Sequence, residues 1–273
     1  MTAARHIDPA SADAGSATID DFSVQWRTFG GHDGYFGSEA LLRDVLSPLV
    51  SLEAFAGATV AEIGCGNGRY IRTLARYARR VVGVEPGEGV ENARRYCADA
   101  ANVDVVRADV YALPPLPPLD WVLCIGVLHH LPEPLEALRR MRETLRPGGQ
   151  ALVWVYGREG NEAYLRVVEP LRRLTVRLPH AALHALSVVL AGALRAYVAA
   201  CRVVALPMRA YARNVLAPLS FRALTLNVYD QLNPTIARYW RRDEVEALMH
   251  AAGFHDVRLH HRHRYSWTAV GRA

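Results

Sequence analysis

The sequence predicts an α/β protein with a doubly wound, mostly parallel sheet, and three observations carry the prediction. A short apolar run, Val60–Ile63, enters a turn of alternating glycines, Gly64, Gly66 and Gly68, and a helix-compatible segment, Tyr70–Ala78, leaves it. Three further apolar runs, Val81–Val84, Val103–Val106 and Trp121–Ile125, follow with helix-compatible or turn segments between them. A fifth run, Ala151–Val155, comes directly after Leu145-Arg146-Pro147-Gly148-Gly149. Strand–turn–helix repeats of this kind build sheets whose ligands sit at the strand ends.

Length and composition bound the rest. The chain has 273 residues, enough for one large domain or a domain with an elaboration. Hydrophobic residues make up 51% and charged residues 22%, the balance of a soluble globular chain. The formal net charge is +5 and every basic residue is arginine. Cys65, Cys97, Cys124 and Cys201 show no paired spacing, so a reduced, cytoplasmic setting is expected. Residues 1–18 are rich in Ala, Ser and Asp, lack the apolar core of a signal peptide, and are expected to be disordered.

Taken in order, residues 19–56 begin with Phe22, Trp26, Phe29, Tyr35 and Phe36 among glycines. Leu41, Leu42, Val45, Leu46 and Leu49 then recur at helical spacing behind Ser38, a suitable N-cap. The core is expected over 57–157. Within it Glu91–Ala101 and Glu133–Leu145 read as helices, and Pro114–Pro118 as a stiff connector that neither a helix nor a central strand accepts. Residues 158–241 depart from a minimal α/β core. Leu165, Val168, Leu171, Leu174 and Leu178 suggest one amphipathic helix, and Ala181–Leu206 is more apolar still. Between Arg158 and Asp230 there are ten arginines against four carboxylates. Residues 242–273 return to the core, with a helix ended by Gly253 and two strands over Phe254–Arg264 and Trp267–Arg272.

Glu62-x-Gly64-x-Gly66-x-Gly68, Glu85 at the second strand tip, Ala108-Asp109-Val110, Leu145-x-Pro147-Gly148-Gly149 and Ala252-Gly253-Phe254 together resemble the class I S-adenosylmethionine-dependent methyltransferases. The resemblance spans Val60–Tyr156 and resumes near the C-terminus. It implies a Rossmann-like seven-stranded mostly parallel sheet, with an N-terminal helical lid and an α-helical insert after strand 5. The cofactor it implies is S-adenosyl-L-methionine, with S-adenosyl-L-homocysteine as product. Gly64, Gly66 and Gly68 would let the backbone approach the amino-acid end and ribose. Glu62 would organise the turn or meet the ammonium, and Glu85 would hold the ribose hydroxyls. Asp109 and the Val110 amide would meet the adenine, and the Ile125 and Gly126 carbonyls the ammonium. Gln25, Trp26 and Tyr35 are the candidate lid contacts.

Methyl transfer is an in-line displacement, so positioning supplies most of the catalysis. A base is needed only for a protonated acceptor, and His130, following strand 4, is the candidate. His129, Tyr229 and Asp230 are candidate acceptor contacts, with Gln231 beside them. His255, His260, His261 and His263 read as strand histidines, since no carboxylate or cysteine completes a metal-ligand set, and no metal is expected. The glycine spacing differs from the G-x-G-x-x-G of a nicotinamide-dependent oxidoreductase. A non-catalytic S-adenosylmethionine-binding protein is the other rival. No Asn/Asp-Pro-Pro-Tyr follows strand 4, so the expected partner is a small-molecule, sugar or lipid-linked acceptor methylated at O or N, and not nucleic acid. The insert is expected to cap the acceptor pocket, with a peripheral contact at the inner membrane face or a homodimer surface as alternatives. Its apolar run, ending at Arg195, looks too short to span a bilayer.

Overall fold

In the computed structural model, which describes residues 12–29 and 34–273, the apolar runs form one seven-stranded sheet of order β3-β2-β1-β4-β5-β7-β6. The strands are β1 (Thr59–Ile63), β2 (Arg80–Val84), β3 (Val103–Val106), β4 (Leu119–Ile125), β5 (Leu145–Tyr156), β6 (His255–Arg262) and β7 (Ser266–Arg272). The first five run parallel, and β7 pairs antiparallel with both β5 and β6. Side chains alternate faces along a strand. Val60, Val81, Trp121 and Leu123 therefore enter one core layer with α2 (Glu39–Leu46), α3 (Arg69–Leu74) and α4 (Gly89–Tyr96). Their neighbours Ala61, Val82, Val122 and Cys124 enter the other, against α5 (Pro134–Glu143) and α10 (Arg242–Ala251). Burial on both faces explains why these strands read as continuous apolar runs.

Several local expectations are met. Ser38 caps α2 by accepting from the Leu41 amide at 3.2 Å, and residues 113–118 connect without regular structure. All four cysteines are buried and unpaired. Others are corrected. Helix α1 (Ala12–Thr28) starts inside the segment expected to be disordered, the remainder of which, 1–11, lies outside the described residues. His263 lies beyond the end of β6 with a φ of 48° and bonds Asp44 at 2.9 Å, so it is not a strand histidine.

The insert comprises α6 (Glu162–Thr175), α7 (His180–Val203), α8 (Arg209–Tyr211), a π-turn over 212–216, and α9 (Phe221–Leu232). Helix α6 buries Leu165, Val168, Arg172 and Thr175, while Leu174 and Leu178 are 63% and 40% exposed. The expected stripe fails for a geometric reason. Each residue advances about 100°, so repeated steps of three drift around the axis and put Leu174 about 180° from Leu165. Helix α7 runs on through Arg195, which donates to the Leu219 carbonyl at 2.6 Å. At 24 residues it is long and apolar enough by composition to cross a bilayer, contrary to the expected shortfall.

Candidate active site

The sheet reverses its winding between β1 and β4, and the loops leaving their carboxyl ends lie side by side. Gly64, Gly66 and Gly68 all have positive φ, of 71°, 55° and 88°. A Cβ on Gly64 would lie 2.4 Å from Val127 Cγ2, so the two loops could not approach with any other residue there. Trp26 of α1 lies over Gly66, whose Cβ would meet its ring at 2.8 Å. Glu85, 6% exposed, accepts from the Gly66 amide at 2.9 Å and the Gly87 amide at 3.0 Å. Burial raises its pKa, and those two amides oppose the rise. Glu62 is 2% exposed, and one of its carboxylate oxygens has no hydrogen-bond partner among the described residues. Burial pushes its pKa up to about 8, with Arg69 opposing and Glu85 adding to the rise.

These groups line one cavity of about 530 Å³ together with Asp109, Val110, Ile125 and Gly126. Asp109 caps a short turn, accepting from the Tyr111 amide at 3.0 Å. Gly68 is the exception among the glycines, packing against Ala93 of α4 instead of lining the cavity. The Tyr35 side chain lies outside the described residues.

The second half of the cavity lies under the insert. His130 Nδ1 is 2.6 Å from the Ile236 carbonyl, which can only accept, so Nδ1 carries the proton and Nε2 keeps its lone pair. Burial pulls the His130 pKa down to about 4, with Asp230 opposing. Asp230 also lines the cavity and accepts from Gln25 at 2.9 Å and from the Tyr156 hydroxyl at 2.8 Å. Two candidates fall elsewhere. His129 is fully buried behind the wall, stacked on Tyr156 at 3.8 Å, and burial drives its pKa well below the usual imidazole value. Tyr229 points into the insert core, where its hydroxyl pairs with His180 at 2.8 Å. Consecutive residues on a helix point about 100° or more apart, so each pair of neighbours faces different surroundings, and residue order alone does not reveal which member meets the cavity.

Sequence reading named Gln231 but missed the hydrogen-bond network around it. Arg172 donates to the Tyr239 hydroxyl at 2.7 Å, and Tyr239 and Tyr164 each donate to Gln231 at 3.0 Å. Gln231 in turn donates to the Tyr156 hydroxyl at 2.9 Å, and Tyr156 donates to Asp230. Every donor in this chain points toward the Asp230 carboxylate, an arrangement in which each bond polarises the next. The one available signal was alternation: Trp154 and Tyr156 continue the period of β5 onto the cavity side.

A seven-stranded sheet of this order, with the glycine turn and strand-2 acid on one cavity, defines the class I S-adenosylmethionine-dependent methyltransferase fold. Residues 61–153 match the family model described as Methyltransferase domain, so that stretch carries a methyltransferase domain. The chain is 33% identical over 116 residues to a tRNA U34 carboxymethyltransferase of Shewanella sediminis, a match covering 41% of this chain and 35% of that one. It therefore spans little more than a third of the curated relatives it matches. Among solved structures, the DhpI–SAM–HEP complex aligns with a TM-score of 0.59 at 15% identity, covering 96% of this chain and 99% of that one. A Burkholderia thailandensis 1,6-didemethyltoxoflavin-N1-methyltransferase with bound S-adenosylhomocysteine aligns at 0.56 and 15%, covering 99% and 92%. The expected exclusion of nucleic acid is corrected by these relatives, whose names place tRNA as what they modify. Absence of one motif after β4 tested only one mode of nucleic-acid methylation.

The residues present fit S-adenosyl-L-methionine, the cofactor of this family. A buried carboxylate oxygen of Glu62 without a partner among the described residues suits an ammonium. Each Glu85 oxygen accepts one backbone amide and retains lone-pair capacity for a diol.

Proposed function

We propose that this chain transfers a methyl group from S-adenosyl-L-methionine to a hydroxyl or amine of a compact, largely apolar acceptor seated under the insert. One observation carries the reading: the cofactor-type wall and the His130–Asp230–Tyr156 group border the same cavity. Leu171, Leu190, Tyr211 and Leu226 of the insert close its far side. When bound, the cofactor supplies an electrophilic methyl on a sulfonium. Glu85 would hold the ribose, Asp109 and the Val110 amide the adenine, and Glu62 with the Ile125 and Gly126 carbonyls the ammonium. Trp26 covers the glycine turn and keeps water from it. His130 Nε2, held neutral and oriented by Ile236, would take the acceptor proton, and Asp230 would orient the donor group.

A second reading, that a tRNA base is the acceptor, is favoured by the named relatives of the core. Incubation with methyl-tritiated cofactor and either bulk tRNA or a small-molecule extract tests both. Label in the organic extract supports the compact acceptor, and acid-precipitable, ribonuclease-sensitive label supports tRNA. Label in neither sinks both.

A further inference from the structure

Two arginines line the cavity, and their surroundings differ. Arg262, 3% exposed, is committed to the Asp44 carboxylate and the Tyr265 hydroxyl. Arg69, the first residue of α3, has no carboxylate within 4.0 Å among the described residues, and its one side-chain hydrogen bond, to the Phe36 carbonyl, is long at 3.5 Å. Its guanidinium lies 3.9 Å from the Phe36 ring centroid and 4.3 Å from that of Tyr70. Contact with two rings fixes the group in place, while among the described residues most of its five N–H donors have no partner.

The amino-acid end of the proposed cofactor is a zwitterion. Glu62 and the Ile125 and Gly126 carbonyls provide for its ammonium, but none of them can receive its carboxylate. Arg69 and Glu62 line the same cavity, and no ion pair within 4.0 Å joins them among the described residues. We infer that Arg69 is the carboxylate-binding residue of the cofactor site, closing on the amino-acid end opposite Glu62. This rests on the methyltransferase reading above. A guanidinium is suited to the task because its planar fork matches a carboxylate with two parallel hydrogen bonds.

The test compares two ligands that differ only at that end: S-adenosylhomocysteine, and 5′-methylthioadenosine, which lacks the amino-acid group. Both are titrated calorimetrically into the whole chain and into Arg69→Met, which keeps an apolar stem between the rings, and Arg69→Lys. Arg69→Met should weaken S-adenosylhomocysteine by about ten- to a hundredfold and leave 5′-methylthioadenosine within about twofold, with Arg69→Lys recovering part of the loss. Equal weakening of both ligands would mean that Arg69 only shapes the turn, and unchanged S-adenosylhomocysteine affinity would remove it from the site. Either result overturns the assignment while the methyltransferase reading stands. Failure of the unaltered chain to bind either ligand would overturn both.

Discussion

Glu85 joins the glycine turn to the strand-2 loop through two backbone amides, so its carboxylate is placed before any ligand arrives. Removing it in Glu85→Ala takes away a charge-assisted partner for the ribose, a loss of roughly 1.5–3 kcal/mol, or about one to two decades in affinity. Calorimetry with S-adenosylhomocysteine measures this directly, and equal affinity would end the ribose assignment. His130 is a different case. Its ring is held by Ile236 on one side and faces the cavity on the other. His130→Ala is expected to lower turnover by about 10²–10⁴ with cofactor affinity nearly unchanged, once an acceptor is in hand. Full activity would return it to a packing role beside Phe22, whose ring lies 4.9 Å away.

The polar residues of helix α1 tie it to the end of the insert and the segment that follows it. Asp21 accepts from both the Thr235 amide and hydroxyl at 2.9 Å, and Gln25 donates to Asp230. Helix α6 shows how its buried face, not its leucine count, sets energetics. Leu165 is 4% exposed within a cluster with Val168, Leu183 and Leu226, whereas Leu174 is 63% exposed. Leu165→Ala should therefore destabilise by about 2–5 kcal/mol, and Leu174→Ala by no more than about 0.5 kcal/mol. Denaturant unfolding distinguishes them, and equal effects would mean the helix is rotated from its described orientation.

At the scale of the whole molecule, the site costs stability because it buries charge-capable groups in one cavity. Glu62 titrates at about 8 in the folded chain against an ordinary 4.5. Between those values the unfolded chain holds fewer protons, so its contribution is complete below the lower value and is lost as pH rises through the upper one. Glu62→Gln should thus raise Tm more at pH 9 than at pH 5, and an equal shift at both would contradict the burial-driven rise. His130 works in the opposite direction. Its folded value of about 4 lies below the ordinary 6.5, so stability falls as pH drops across that window.

The strand set, the glycine turn, Glu85, Asp109 and the closing hairpin were legible in the sequence, because each depends on neighbours within a few residues: apolar runs, positive φ, and a carboxylate at a strand tip. The position of the insert as a roof was an expectation its composition alone could not settle. Tertiary structure decided that His130 and Asp230 share a wall while His129 and Tyr229 turn away, and that Arg172 reaches Asp230 through Tyr239, Gln231 and Tyr156. It also decided which face of α6 is buried. Those outcomes depend on helix phase and on contacts between residues far apart in the chain. Local propensity carries no information about either until the elements pack.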